Sequence, residues 1–191
     1  MKKIIFATLI SVVLSIGAYA QKGSVLLYGN LNFNSTQSAA DAKTTTFGIT
    51  PGIGYQFSDH FTLGLNLGYS YSQSTPAGEP SSPSLNTFSA GPFIRYSCNV
   101  SNVFSFFTQF NTDYISTTQS GSPSITGFDA KIYPAFCANI KNGLSLVFSF
   151  GSIGFTSTKA SGANNSATNF GLNFGSGPMF GISKHFGGMK K

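Results

Sequence analysis

Charge is what this sequence has least of. Asp, Glu, Lys and Arg make up 8% of its 191 residues, where a soluble globular domain carries about 25%. Ser, Thr, Asn and Gly supply the polarity instead. Beyond the N-terminus there is no apolar run of about 18 or more residues, which excludes a membrane protein built of helices. Disorder is disfavoured, because 20 Phe recur at regular spacing. The 11 basic residues outnumber 5 acidic ones, but Lys22, Lys141, Lys184, Lys190 and Lys191 are scattered. Without a basic patch, nucleic acid is not an expected partner. Cys98 and Cys137 are too far apart for metal-ligand spacing, and two thiols make no disulfide framework. No cofactor is expected.

The first 20 residues stand apart from the rest. Lys2 and Lys3 begin a basic start, 4–16 form an apolar core, and Ala18, Tyr19 and Ala20 offer a small-x-small cleavage site. That is the pattern of a secretory signal peptide. The expected division is therefore 1–20 as signal and 21–191 as one domain, with Gln21 as the mature N-terminus.

The pattern that organises the domain runs from Phe47 to Tyr71. Phe47, Ile49, Ile53, Tyr55 and Phe57 alternate with Thr and Gly; then Phe61, Leu63, Leu65, Leu67, Tyr69 and Tyr71 alternate with Thr, Gly, Asn and Ser. Ser58, Asp59 and His60 separate the halves, so the stretch predicts a β-hairpin with one apolar and one polar face. The same period of two recurs in strands around Val25 to Phe33, Phe88 to Tyr96, Phe104 to Tyr114, Phe128 to Ile140, Leu144 to Phe155 and Phe170 to Phe186. In the seventh strand the parity switches after Phe150, which predicts a bulge at Gly151 and Ser152. The connections alternate between long ones (35–43, 74–84, 116–123, 158–167) and short ones (58–60, 99–102, 141–143). A Greek-key sandwich gives no reason for that, whereas an up-and-down barrel does. Pro51, Pro92, Pro134 and Pro178 recur at intervals of 41, 42 and 44 residues, once per returning strand. They indicate repeated hairpins and local weak points in the ladder.

Each apolar face is about five or six residues long, enough to cross the hydrocarbon when strands tilt. No segment is left over to cover these faces, so lipid is the expected layer. Rings gather at both ends of the faces. Tyr55, Phe57, Phe61, Tyr96, Phe104 and Phe186 lie toward the short turns, and Tyr69, Tyr71, Phe88 and Tyr114 toward the long loops. These are the expected aromatic girdles. By parity Arg95, Gln109, Asn111, Asp113, Asp129, Lys131, Tyr133, Asn173 and His185 face inward. Lys184 is the exception, close enough to the strand end to snorkel. The fold expected is all-β, an eight-stranded antiparallel up-and-down transmembrane β-barrel.

With these residues in view, the mature chain resembles the small, porin-like outer-membrane β-barrel family of OmpA and OmpX type. The carrying segments are Phe47-Gly-Ile-Thr-Pro-Gly-Ile-Gly-Tyr, Leu63-Gly-Leu-Asn-Leu-Gly-Tyr-Ser-Tyr, and Phe170-Gly-Leu-Asn-Phe through Phe186. The resemblance implies a cell-envelope protein of the outer membrane, with long loops extracellular and short turns periplasmic. It implies outer-membrane lipids and lipopolysaccharide as surroundings, and a monomer. It also implies that Phe186 is the final-strand aromatic read by the barrel-assembly machinery, although here Gly187 to Lys191 follow it.

Arg95, Asp113, Asp129 and Lys131 are the candidate lumen cluster. Pairing of the fifth and sixth strands sets Asp113 close to opposite Asp129, with Lys131 one inward step away. A catalytic carboxylate pair is one reading; an ion-pair and hydrogen-bond plug is the favoured one, since buried charge must be paired. Barrel enzymes of the resembling group work near the outer rim with a His base, whereas His60 and His185 sit by the short turns. The expectation is a non-enzymatic protein with a structural role or one of recognition or adhesion through its loops. A narrow passive channel is the alternative, because inward Gly residues could leave the lumen under-filled; a lipid-modifying enzyme is the third.

Overall fold

The computed structural model describes residues 23–38, 42–77, 83–119 and 121–187. The expected signal 1–20, Gln21, Lys22 and the tail beyond Gly187 lie outside them. Eight strands follow in order: β1 (Ser24–Gln37), β2 (Lys43–Gln56), β3 (Phe61–Thr75), β4 (Leu85–Asn99), β5 (Phe104–Gln119), β6 (Ile125–Lys141), β7 (Leu144–Ala160) and β8 (Ala167–Gly187). Each pairs with the next, and β8 returns to β1 to close an antiparallel barrel.

The period of two decides which side chains share a face. Leu27 pairs with Ile53, Ile53 with Leu65, and Leu65 with Pro92, so the apolar set of each strand continues into its neighbour. That set is turned outward and exposed, Leu65 at 59%. The other parity is turned inward, where Arg95, Gln109 and Thr62 are buried. Among the described residues no second layer covers the apolar exterior.

Strands run further into the polar connections than the apolar pattern indicates. Ser35, Thr36 and Gln37 pair with Thr45, Thr44 and Lys43, and β5 extends to Gln119. Ladder hydrogen bonds join backbone to backbone and need no apolar side chain. The connections are therefore 38–42, 76–84, 120–124 and 161–166 at one end, against 57–60, 100–103 and 142–143 at the other. The expected contrast in length persists but rests mainly on 76–84.

The bulge in β7 is present. Register shifts flank it on both sides, between Ile132 and Ala135 of β6 and between Ser149 and Gly151 of β7, so Ile153 and Phe155 regain the outward face. The prolines also fall at breaks. β2 skips Thr50 and Pro51 in its ladder to β3, β4 skips Gly91 and Pro92 toward β5, and β6 skips Tyr133 and Pro134 toward β7. Each strand remains paired through its proline on the other side. A residue without an N–H can leave a ladder on one side only, and the repeat puts that side in the same place each time. Lys184 reaches the adjoining turn, where Nζ donates to the Asn142 carbonyl at 2.5 Å. Cys98 and Cys137 are both free thiols, the second of them buried.

Candidate functional site

The lumen has a packed half and an open half. In the packed half, toward the short turns, Arg95 is 3% exposed. Its Nε donates to Gln109 Oε1 at 2.7 Å, across the Arg95↔Gln109 pair of β4 and β5. Its guanidinium lies 3.9 Å from the Phe107 ring centre, 4.7 Å from Tyr28 and 5.8 Å from Phe93. Tyr133 also hydrogen-bonds to Arg95, and a weakly hydrated, planar guanidinium can be held this way by ring faces, an amide and a phenol. Tyr28 and Phe93 meet edge to face at 5.4 Å, and Leu26, Phe107, Ala135, Cys137 and Val147 complete the packing. Inward glycines make the space. A Cβ on Gly54 would come within 2.7 Å of Phe93 Cζ, and one on Gly52 would run into the Tyr28 ring. These glycines are the room that the rings occupy, so they do not leave this half under-filled.

Above this floor a hydrogen-bonded layer follows. Gln109 Nε2 donates to Tyr28 OH and to Asn111 Oδ1, each at 2.8 Å, and the Tyr28 hydroxyl donates to Asn66 Oδ1. One step further, Asp113 and Asp129 are direct register partners. Asp129 accepts from Thr156 Oγ1 at 2.6 Å and pairs with Lys131 Nζ at 3.6 Å. Asp113 sits against Asn66, whose side-chain amide is within hydrogen-bonding reach of its carboxylate. These groups line a cavity of about 660 Å³ in the open half, together with Asn30, Asn32, Ser70 and Thr87.

Of the four predicted cluster residues, Asp113, Asp129 and Lys131 are brought together. Arg95 is set apart in its cage of rings, two inward steps nearer the short turns. The reading of inward positions for polar groups alone missed Leu26, Phe93 and Phe107. The signal was available, since Phe93 and Phe107 fall on the parity opposite to Ile94 and Phe106. His60 sits in a short turn, its Nδ1 at 3.0 Å from the Ser97 carbonyl, and His185 lies 3.1 Å from Ser24 Oγ. Neither lines the cavity. Among the described residues no group of three His, Cys, Asp or Glu could hold a metal.

The predicted girdle residues stand on the outer face. Phe61 packs on Tyr96 at 5.2 Å and stacks with Phe57 at 6.1 Å, near the short turns; Tyr55 pairs with Leu63 two positions in from Phe61. At the other end Tyr69 OH donates to Asn86 Oδ1 and Tyr71 OH to Gln73 Oε1, both at 2.8 Å, and Tyr114 is exposed beside Phe128. Phe186 is exposed, opposite Val25 on β1.

A family model described as the outer membrane protein β-barrel domain matches residues 5–188. The chain belongs to the outer membrane β-barrel family. Its apolar exterior is therefore a lipid-facing surface, and the protein resides in the outer membrane. The solved outer membrane protein OprG from Pseudomonas aeruginosa shares the fold, with a TM-score of 0.53 and 12% identity over 86% of this chain and 96% of that one. Neisserial surface protein A aligns with a TM-score of 0.45 and 13% identity, over 86% and 96% of the two chains. Ail from Yersinia pestis aligns at 0.41 and 10%, over 87% and 100%. No curated protein matches the chain. For a member of this family the inward charges fit the surroundings, since charge facing lipid at the midplane costs about 2–4 kcal/mol per residue.

Proposed function

We propose that this protein is a non-conducting, non-enzymatic outer-membrane barrel, a cup with a closed floor whose role is structural or lies in recognition at the open end. The observation that carries the reading is the floor. Arg95, with Tyr28, Phe93 and Phe107 around it and Gln109 bonded to it, is buried and packs side chains across the lumen on the short-turn side of the cavity. A narrow channel has the cavity of the open half in its favour but needs that floor to part.

Against catalysis stands the state of the carboxylates. Asp129 is committed to Thr156 and Lys131, and no imidazole lines the cavity to act as base. The connection 76–84 is the longest, which supports the reading that its end is extracellular and the short turns are periplasmic. Closure within one chain supports a monomer in contact with outer-membrane lipid and lipopolysaccharide. Phe186 supports delivery by the barrel-assembly machinery. The test is conductance in planar bilayers: the cup gives no resolvable steps, and regular single-channel steps would contradict it. Lipid A profiles on overexpression should be unchanged; an alteration abolished by Asp113→Asn would restore the enzymatic reading.

A further inference from the structure

Two of the short turns are built on one plan. In 57–60, Phe57 N and Ser58 N both donate to the Phe61 carbonyl, at 3.1 and 3.4 Å, and Ser58 Oγ accepts from His60 N and Phe61 N. In 100–103, Val100 N and Ser101 N both donate to the Phe104 carbonyl, each at 2.9 Å, and Ser101 Oγ accepts from Val103 N and Phe104 N. Each turn is tied to the following strand in the same way: the His60 carbonyl accepts from Ser97 N of β4, and the Val103 carbonyl from Asn139 N of β6.

One backbone plan leaves the side chains free to differ. Where the first turn has Asp59 and His60, the second has Asn102 and Val103. The third short turn, 142–143, follows Lys141 and receives Lys184 Nζ on its Asn142 carbonyl. Of the three, the turn at 100–103 is the one without charge nearby in sequence: residues 96–112 hold no Asp, Glu, Lys, Arg or His. The Asp-His version folds alike, so the turn does not need Val103 in order to form. Its surroundings give the better reason. Val100 is 68% exposed and Val103 52%, and they lie next to Phe104 at 53% and Ile140 at 59%. Phe104 is paired with Ala138, and Asn139 N holds the Val103 carbonyl, so the valines carry the lipid-facing exterior on past the end of the ladder. Aliphatic side chains lack the polar edge that suits Tyr or Trp to the headgroup region. A turn enters an apolar medium only with its backbone groups satisfied within the protein. The N–H groups of Val100, Ser101, Val103 and Phe104 and the Val103 carbonyl meet that condition.

We propose that 100–103 is a membrane-seated turn, Val100 and Val103 packing among acyl chains at the margin of the leaflet on the short-turn side. The barrel is inclined to match, its β4, β5 and β6 side sitting deeper there than 57–60 or 142–143. The proposal rests on the lipid-facing exterior alone and holds whichever compartment the short turns face.

The test uses the full barrel in nanodiscs of phosphatidylcholine brominated near the carbonyl end of its chains. The chain has no Trp, so Val103→Trp and His60→Trp report on equivalent positions of the two turns. Val103→Trp should emit at shorter wavelength, lose most of its fluorescence to the brominated lipid and be spared by aqueous iodide; His60→Trp should show the reverse. Equal quenching of the two by iodide would overturn the proposal and leave the valines to a soluble partner. Shielding of Val103→Trp from both quenchers, with a cross-linked dimer, would overturn it in favour of a second copy. A second variant, Asn102→Asp with Val103→His, writes the residues of the first turn into the second, where the same backbone accommodates them. Heat-modifiable migration should be retained, and Ile140→Trp in that background should lose part of its quenching by the brominated lipid as this side rises. Quenching of Ile140→Trp that is the same with and without the turn exchange would contradict the inclination.

Discussion

Replacing Arg95 by alanine should loosen the barrel and open it at once. The guanidinium donates a charge-assisted hydrogen bond to Gln109, also hydrogen-bonds to Tyr133, and stands over three rings, the nearest at 3.9 Å. Losing a charge-assisted hydrogen bond costs about 1.5–3 kcal/mol, and losing desolvated ring contacts about 2 kcal/mol. Opposing these is the relief of no longer holding a charge out of water, itself several kcal/mol. The cavity left by the side chain adds to the loss, so the net destabilisation of Arg95→Ala should be about 2 kcal/mol. Arg95→Met is the control, because it fills the space without the charge. It should stay within about 1 kcal/mol of the parent, or exceed it. Urea unfolding in lipid vesicles, followed by loss of heat-modifiable migration, measures both. In planar bilayers the alanine variant should show conductance steps that the parent and the methionine variant lack. An alanine variant as stable and as silent as the parent would refute the role assigned to Arg95.

The remaining predictions concern the wall and its assembly. Leu65→Arg, at an outward position of β3, should destabilise the barrel by about 2–4 kcal/mol in the same urea assay, as a charge facing lipid does. Gly54→Ala places a Cβ within 2.7 Å of Phe93 and 2.8 Å of Thr62 Cγ2 and should cost about 1–3 kcal/mol. Gly171→Ala meets nothing within 4 Å and should change stability by less than about 0.5 kcal/mol. Phe186→Ala should slow insertion by purified barrel-assembly machinery into proteoliposomes while leaving the folded barrel equally heat-modifiable; an unchanged insertion rate would remove Phe186 as the assembly signal.

Most of the wall was legible because a strand writes its facing into every second residue. Phe88, Ile94 and Tyr96 against Thr87, Phe93 and Arg95 suffice to place β4, and the parity switch at Phe150 suffices to place the bulge. The facing of Asp113 and Asp129 followed from parity, and their opposition from the pairing of β5 with β6. What fills the lumen was less legible. Phe93 and Phe107 are inward by parity, but the expectation that inward means polar hid them, and nothing local ties Arg95 to Tyr28, which lies 67 positions earlier. That contact exists only once β8 has closed on β1.

The most direct test of the barrel is which side of each strand meets lipid. The chain has no Trp, so single substitutions give clean fluorescent probes in vesicles of brominated phosphatidylcholine. Ile132→Trp, outward on β6, should be strongly quenched, and Asn111→Trp, on the cavity wall of β5, should be quenched little. Equal quenching at the two sites, or stronger quenching at Asn111, would contradict a cylinder with its apolar face in the bilayer.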